Sequence, residues 1–257
     1  MKEQIRKKRG QVTIFVIVAI FIIFVIALFL TFRTIKPKSS VTTIRDPHLT
    51  LERCIRNSVE DVTDTILTNG GFINPKNYKK YDKKNITYLC EYTGYYKPCN
   101  NLHPFLIEEI KKEILNYTFP IIEGCFLEFK RDAEKENNII DMGVTKVETT
   151  LFPERISFKI NKNIKIKKND EVRNFNDFSF DLESPIYNLA SLAIEIATEE
   201  SKFCEFEYNG YMLLYPRYKI KRTLLSDYTK IYTIEDKKFK KKMNFAIRGC
   251  ALPAGFG

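Results

Sequence analysis

The chain has 257 residues, of which 44% are hydrophobic, 29% charged and 13% aromatic, and it contains no Trp. This composition is typical of a folding chain and excludes collagen-like, low-complexity and wholly disordered proteins. The formal net charge is +10, but the first ten residues hold five basic side chains and one acidic one, so the remaining +6 is spread over a mixed surface. Such a mildly basic surface argues against a protein that binds specific nucleic acids.

An apolar run without a single charge covers residues 11–32. A helix of these 22 residues would be about 33 Å long, which is enough to cross a hydrocarbon core of about 30 Å. A helix buried in a soluble core would show a polar stripe, and this run shows none. The sequence therefore predicts a transmembrane helix over residues 11–32, preceded by a basic leader over residues 1–10.

The charges beside this run predict its orientation. Residues 6–9 are all basic, and the basic residues that follow the run are more widely spaced. The positive-inside rule therefore places the short N-terminus in the cytoplasm and the bulk of the chain outside. A removable secretory signal is not expected, because its apolar region would be shorter, about 7–15 residues, and small residues would follow it. We expect a single-pass protein of the cell membrane.

All six cysteines follow the apolar run. An even number in an extracytoplasmic domain predicts disulfides, although the sequence leaves the pairing open and buried free thiols are the alternative. We expect partners that are neighbours in the fold. These are Cys90 with Cys99 across a hairpin tip, Cys54 with Cys125 between two helices, and Cys204 after a helix with Cys250 at the end of the last strand.

Two Asn-x-Thr motifs occur in the part of the chain expected outside the cell. They make Asn85 and Asn116 candidate N-glycosylation sites. Because the chain is rich in Asn, the motif also arises by chance.

The predicted elements begin with a linker over residues 33–47, in which Pro37 and Pro47 oppose a continuous helix. A helix over residues 49–68 follows, with Thr50 as its candidate cap and the pair Gly70-Gly71 at its end. Residues 86–92 form a strand that leads into the cysteine hairpin. The clearest helix outside the membrane covers residues 105–117.

Beyond residue 130 the apolar period is mostly two, which is typical of strands. Strands are predicted around residues 156–160, 164–166 and 178–182, with turns at residues 161–163 and 168–170. A helix over residues 185–203, capped by Ser184, precedes strands at 211–224, 228–234 and 243–248. The fold class is α+β, an antiparallel sheet with packed helices. It forms either one domain or two lobes, a helix-rich one at 48–130 and a strand-rich one at 131–257.

The sequence offers few groups for catalysis. The only histidines, His48 and His103, lie in the linker and beside a proline, and no nucleophile-elbow, phosphate-loop or zinc-protease motif occurs. The spacing of Cys90 and Cys99 exceeds that of a usual zinc pair. Nothing distinguishes Glu199 and Glu200 from the other carboxylates as an acid–base pair. We predict no enzyme activity, no cofactor and no metal site.

Two lysine clusters remain. Lys162, Lys165, Lys167 and Lys168 belong to a strand and its ends, and Lys237, Lys238, Lys240, Lys241 and Lys242 surround a predicted turn. We favour solvated faces that protect edge strands from pairing. The alternative is a surface that attracts polyanions, such as lipid headgroups, acidic glycans or extracellular DNA.

The segment Lys7-Lys8-Arg9-Gly10-Gln11-Val12-Thr13-Ile14-Phe15 resembles the class III, prepilin-type signal of archaeal surface proteins with type IV pilin-like anchors. The resemblance implies that a prepilin-type peptidase cuts between Gly10 and Gln11. It also implies that the apolar helix then packs into a filament or stays in the membrane. The sequence departs from the family at Phe15, where many members carry an acidic residue, and in its large ectodomain.

Together these observations favour a membrane-anchored, pilin-like or pilus-associated surface protein with a structural or adhesive role. Its expected partners are the membrane, the peptidase, and like subunits or other components of a surface filament. The alternative is an uncleaved single-pass ectodomain that binds an extracellular ligand, for example a polyanion. An ectoenzyme is the least favoured class.

Overall fold

The computed structural model describes residues 17–28, 46–92, 94 and 97–249. The chain divides into two compact units, Met1–Thr43 and Ile44–Gly257. In the first unit, residues 17–28 form a helix, and large apolar side chains such as Phe21 and Ile23 are two-thirds exposed, at 67% and 66%. Within the described ranges, no helix combines the length and the apolarity needed to cross a membrane.

Several predictions concern residues that the structure does not describe. The leader over residues 1–10, most of the linker, and Gly10 and Gln11 lie outside the described residues. The predicted span over residues 11–32 is described only from residue 17 to residue 28.

The second unit is α+β, as the sequence predicts. Its helices are α1 (Pro47–Thr68), α2 (Leu106–Lys135), α3 (Ile186–Phe203) and α4 (Tyr208–Leu214). Its strands are β1 (Tyr78–Tyr81), β2 (Lys84–Glu91), β3 (Asn100–Asn101), β4 (Ile139–Met142), β5 (Lys146–Phe152), β6 (Arg155–Lys168), β7 (Glu171–Glu183), β8 (Tyr218–Leu224), β9 (Thr229–Asp236) and β10 (Lys241–Arg248).

The larger sheet has six strands in the order β1-β2-β10-β9-β8, with β3 paired to β2. Every pair in it is antiparallel except β2 with β10, which is parallel. The predicted antiparallel sheet is therefore a mixed one. The parallel pair joins a strand from the first half of the chain to the last strand, because the helices between them carry the chain back across the sheet.

The smaller sheet has four strands centred on β6. One edge of β6 pairs with β5 and then β4, and the other edge pairs with β7, all antiparallel. Every second residue of β6 is buried, from Ile156 to Ile166. This row packs with β5 and β7 against α2, where the rings of Phe126 and Phe178 meet at 5.5 Å.

The first ectodomain helix begins earlier than predicted. Asp46, and not Thr50, caps α1 by accepting a hydrogen bond from the His48 amide at 2.9 Å, and Pro47 occupies the first turn. The predicted stop is confirmed, since Gly70 and Gly71 follow the helix with φ of +81° and +110°. These values lie in the left-handed region that favours glycine.

Three elements differ from the sequence-based boundaries. Helix α2 continues beyond residue 117 and through Pro120 to Lys135, because its apolar row continues at Ile122, Phe126 and Phe129. Strand β6 is unbroken across residues 161–163, where a turn is predicted. Its register with β7 shifts there, between Asn161 and Ile164. Residues 211–214 are helical rather than extended, since they belong to α4.

The second unit, Ile44–Gly257, is compact. The predicted boundary at residue 131 falls inside α2. Helix α2 packs against α1 and the smaller sheet, and β2 from the proposed first lobe pairs with β10 from the second. One main hydrophobic core accordingly contains residues from both halves of the chain.

Candidate functional site

Disulfides are confirmed: one joins two helices, and another lies within the larger sheet. Cys54 on α1 bonds Cys125 on α2, with their Cα atoms 6.0 Å apart. Cys90 on β2 bonds Cys99 just before β3. Both are pairings that the sequence predicts. Cys204 is also disulfide-bonded, and its predicted partner Cys250 lies outside the described residues.

A shallow groove of about 340 Å³ runs beside the first disulfide, between α1 and α2. Charged and polar side chains such as Arg53 and Glu128 line it together with apolar ones such as Phe129, and most of its exposed surface is apolar. No histidine or hydroxyl nucleophile paired with a base stands among its lining residues. The groove therefore presents no catalytic arrangement of side chains.

One of the most deeply buried ionic groups among the described residues is Glu200, near the end of α3, whose exposure is 0%. Its Oε2 accepts a hydrogen bond from Lys230 Nζ at 2.6 Å, and Lys230 itself is 9% exposed. Its Oε1 accepts a hydrogen bond from the Tyr232 hydroxyl. Burial, and then the neighbouring charge of Glu200, raise the pKa of Tyr232.

Lys230 also donates a hydrogen bond to the carbonyl of Cys204, which caps α3 in the left-handed conformation. The negative end of the α3 dipole stabilises a cation at this position. Nearby, Arg222 pairs with Glu205 at the rim of the cluster. Both oxygens of Glu200 are thus occupied by neighbours, so the cluster fixes α3 to β9 and leaves no carboxylate oxygen for a substrate.

Lys162 belongs to the buried row of β6 and not to its polar face, contrary to the prediction. It is 5% exposed, and its Nζ donates to Thr145 Oγ1 at 2.5 Å and lies 3.3 Å from both carboxylate oxygens of Glu123. The same nitrogen lies 4.9 Å from the centre of the Phe126 ring, which adds a cation–π contact. The signal was present in the sequence, because strict alternation of apolar residues runs through position 162.

The other lysines of that cluster have acidic or neutral neighbours. Across the strands, Lys165 faces Asp141, and Lys167 faces Ile139. Their side chains are exposed. These lysines therefore belong to a solvated face of the sheet, on which Asp141 faces the charge of Lys165.

The lysines around the β9–β10 turn are mostly engaged in contacts with other elements. Lys241 pairs with Asp64 of α1 at 2.6 Å, and Lys238 pairs with Glu154 of the β5–β6 turn at 2.5 Å. Lys242 pairs with Glu235 across the strands at 3.5 Å. Three of the five lysines are thus compensated by carboxylates of the fold.

Arg217 connects the ends of the two sheets. Its Nε donates to the fully buried Asp236 at 2.8 Å, and its Nη1 pairs with Glu154. Hydrogen bonds from Lys238 and Arg217 hold the pKa of Glu154 below its usual value. The network closes the junction between the β5–β6 turn and the β9–β10 turn.

The two histidines do not meet a nucleophile. The ring of His48 packs 4.5 Å from that of Phe178, and His103 Nδ1 lies 2.7 Å from Glu109 Oε2. No group of three metal-ligating side chains comes together in the part of the chain that the structure describes.

The two candidate glycosylation sites share one geometry. Asn85 and Asn116 are exposed. The threonines of the two motifs are buried: Thr87 donates to the Asn69 carbonyl, and Thr118 donates to the Ile114 carbonyl. Both asparagines are thus accessible in the folded chain, whereas each threonine hydroxyl is bonded inside the fold.

Comparison with known proteins adds no relative, since neither a family, nor a curated protein, nor a solved structure matches this chain.

Proposed function

We propose that the chain is a membrane-anchored cell-surface protein of the pilin-like class, cut between Gly10 and Gln11, with a structural or adhesive role. The residues from 46 to 249 then form the exposed domain. The observation that carries the proposal is the uncharged apolar run at residues 11–32, directly after a basic segment and a Gly-Gln pair.

The described part of this run supports the proposal. Residues 17–28 are helical and belong to a unit separate from the rest of the chain. Their large apolar side chains are 42% to 67% exposed, and an apolar environment would stabilise such side chains. A lipid bilayer or a bundle of like helices would provide one.

The domain also supports a structural role. Its buried charges are used to join elements: Glu200 with Lys230, Lys162 with Glu123, and Arg217 with Asp236. Disulfides stabilise the domain further. These devices suit a domain that stays folded outside the cell.

The alternative of a polyanion-binding ectodomain has less support. Lys162 is buried, and three of the five lysines near the β9–β10 turn form ion pairs, as Lys238 and Lys241 illustrate. Charges engaged in this way contribute little to attracting a polyanion.

The test of the proposal is the N-terminal residue of the protein isolated from its own membranes, determined by terminal-peptide mass spectrometry. We expect a chain that begins at Gln11. The matched variant Gly10→Val should accumulate uncut while remaining membrane-bound, because the apolar run is unchanged. A native chain that begins at Met1 would overturn the processing.

Assembly is tested separately with Ile20→Asp, which puts a charge in the middle of the apolar helix. We expect this variant to lose filament association, with the conservative variant Ile20→Leu as control. Equal assembly of the two variants would exclude packing of this helix against like subunits.

A further inference from the structure

The second unit carries one apolar projection, at the end of α4. Leu213, Leu214 and Tyr215, here called the LLY tip, follow one another in the chain and are 85%, 77% and 51% exposed. Single exposed apolar residues are normal on protein surfaces, but three consecutive ones form a patch that calls for a partner.

The scaffold holds this tip outward. Helix α4 buries none of its seven residues. Its attachments include the Tyr211 hydroxyl, which donates to Glu195 at 3.2 Å, and the amide of Ile220, which donates to the Met212 sulfur at 3.1 Å. Leu213 and Leu214 therefore project from an element whose position is fixed by its neighbours.

Tyrosines are frequent at and beside the tip. Tyr208 and Tyr211 on α4 and Tyr218 at the start of β8 are half-buried against the core, and the ring of Tyr211 lies 4.6 Å from that of Tyr215 in the tip. Tyrosine is enriched at the boundary between lipid and water, because its ring is apolar and its hydroxyl is polar.

The charges beside the tip are positive. Residues 213–221 contain Arg217, Lys219 and Lys221 and no acidic residue. Within the described ranges, neither Lys219 nor Lys221 forms an ion pair, and both are exposed. Lys237 adds a further cation, since its Nζ donates to the Pro216 carbonyl at 2.6 Å.

The acidic groups in this region are already bonded. Glu207 caps α4 by accepting hydrogen bonds from the amides of Asn209 and Gly210. Glu205 pairs with Arg222, and Glu195 accepts from Tyr211. Glu207 and Glu195 keep their negative charge, because their hydrogen-bond donors are neutral. The lysines at positions 219, 221 and 237 outnumber these two carboxylates, so the net charge around the tip favours an anionic partner.

We propose that the LLY tip docks into the interfacial region of an anionic lipid surface. The two leucines insert among the acyl chains near the headgroups, Tyr215 and Tyr218 lie at headgroup level, and Lys219 and Lys221 neutralise lipid phosphates. A second copy of the chain is a poorer occupant, because its matching tip would bring the same lysines together. The inference rests on the proposed anchoring, which supplies the membrane.

The absence of Trp from the chain provides a direct test. Full-length chain with the single change Leu214→Trp is reconstituted into vesicles of phosphatidylglycerol and phosphatidylcholine, some containing brominated lipid. We expect blue-shifted emission and strong quenching by the brominated lipid. The matched control is Val144→Trp, at a residue 83% exposed between β4 and β5, which should be neither shifted nor quenched.

The electrostatic part is tested by adding Lys219→Glu and Lys221→Glu to the Leu214→Trp chain. Quenching in anionic vesicles should fall to the level found in pure phosphatidylcholine. Unchanged quenching would overturn the role of the lysines.

Flotation of the vesicles separates the inference from the proposed function. A chain that floats but shows the same emission and quenching at positions 214 and 144 retains its anchor and overturns the docking. A blue shift at position 214 that needs no lipid would also overturn it, in favour of a protein partner. A chain that does not float contradicts the anchoring itself.

Discussion

The Nζ of Lys230 lies 2.6 Å from Oε2 of Glu200, and neither side chain is open to solvent beyond 11%. Removing the lysine leaves a carboxylate in the core, so Lys230→Met should lower the free energy of unfolding by about 3–5 kcal/mol. The double variant Glu200→Leu with Lys230→Met should recover part of that loss, because no unpaired charge remains. Urea denaturation of the wild type, Lys230→Met, Glu200→Leu and the double variant gives the coupling, and additive losses would show that the pair is not coupled.

Lys162 provides the contrasting case. Its partner Glu123 keeps 32% of its side chain exposed, so that carboxylate remains hydrated when the lysine is removed. We expect Lys162→Met to change the free energy of unfolding by no more than about 1 kcal/mol, since methionine fills the same space in an apolar row. A loss as large as that of Lys230→Met would mean that the β6 lysine stabilises the core by its charge.

Substitution by alanine should have opposite effects on stability at two glycines. Gly124 lies on α2 with open space where a Cβ would be, so Gly124→Ala should stabilise the protein by about 0.5–1 kcal/mol. At Gly70, with φ of +81°, a Cβ would lie 2.8 Å from the Asn244 carbonyl oxygen, and Gly70→Ala should cost about 1–3 kcal/mol. Thermal melts of both variants decide the matter, and equal shifts in Tm would refute the placement of Gly70 against β10.

The two described disulfides close loops of different length, with sequence separations of 71 and 9. Chain entropy then predicts about 4 kcal/mol for Cys54–Cys125 and about 3 kcal/mol for Cys90–Cys99. We expect Cys54→Ser with Cys125→Ser to be the more destabilised pair in guanidinium titrations. The reverse order would show that strain or denatured-state structure outweighs loop length.

Acid should weaken the junction at Glu154. Its folded-state pKa is lowered by Lys238 and Arg217, so the stability it contributes is present above its usual value of about 4.5. That stability is lost as the pH falls through the lower folded-state pKa. Glu154→Gln should therefore differ from the wild type at pH 7 and converge with it at strongly acidic pH. Parallel stability curves over this range would contradict the shift.

Local patterns predicted much of the second unit. The stop at Gly70 and Gly71, the α3 helix and the turn at residues 168–170 follow from residue preferences within a few positions. The end of α2 could not be predicted from local residue preferences, because Pro120 favours a break in the helix. The helix continues because Phe126 and Phe129 are buried by contacts with residues distant in sequence.

The ionic groups show the same division. Alternation along β6 could have placed Lys162 inside, but two flanking asparagines suggested a turn. For Glu200 no sequence signal existed, since its partners Lys230 and Tyr232 lie 30 or more residues away. The sequence shows which residues are acidic and which are basic, whereas only the fold determines which of them form buried ion pairs.

The parallel pairing of β2 with β10 also constrains the order of events during biogenesis. The two halves of the larger sheet can join only when Tyr88 pairs with its register partner Ala246. Closing a loop of that length carries a large entropic cost and slows folding. If the chain crosses the membrane as an unfolded thread with β2 ahead of β10, the sheet completes only after β10 has crossed. Until then β2 presents an unpaired edge, which is a hazard for aggregation that an export chaperone would relieve.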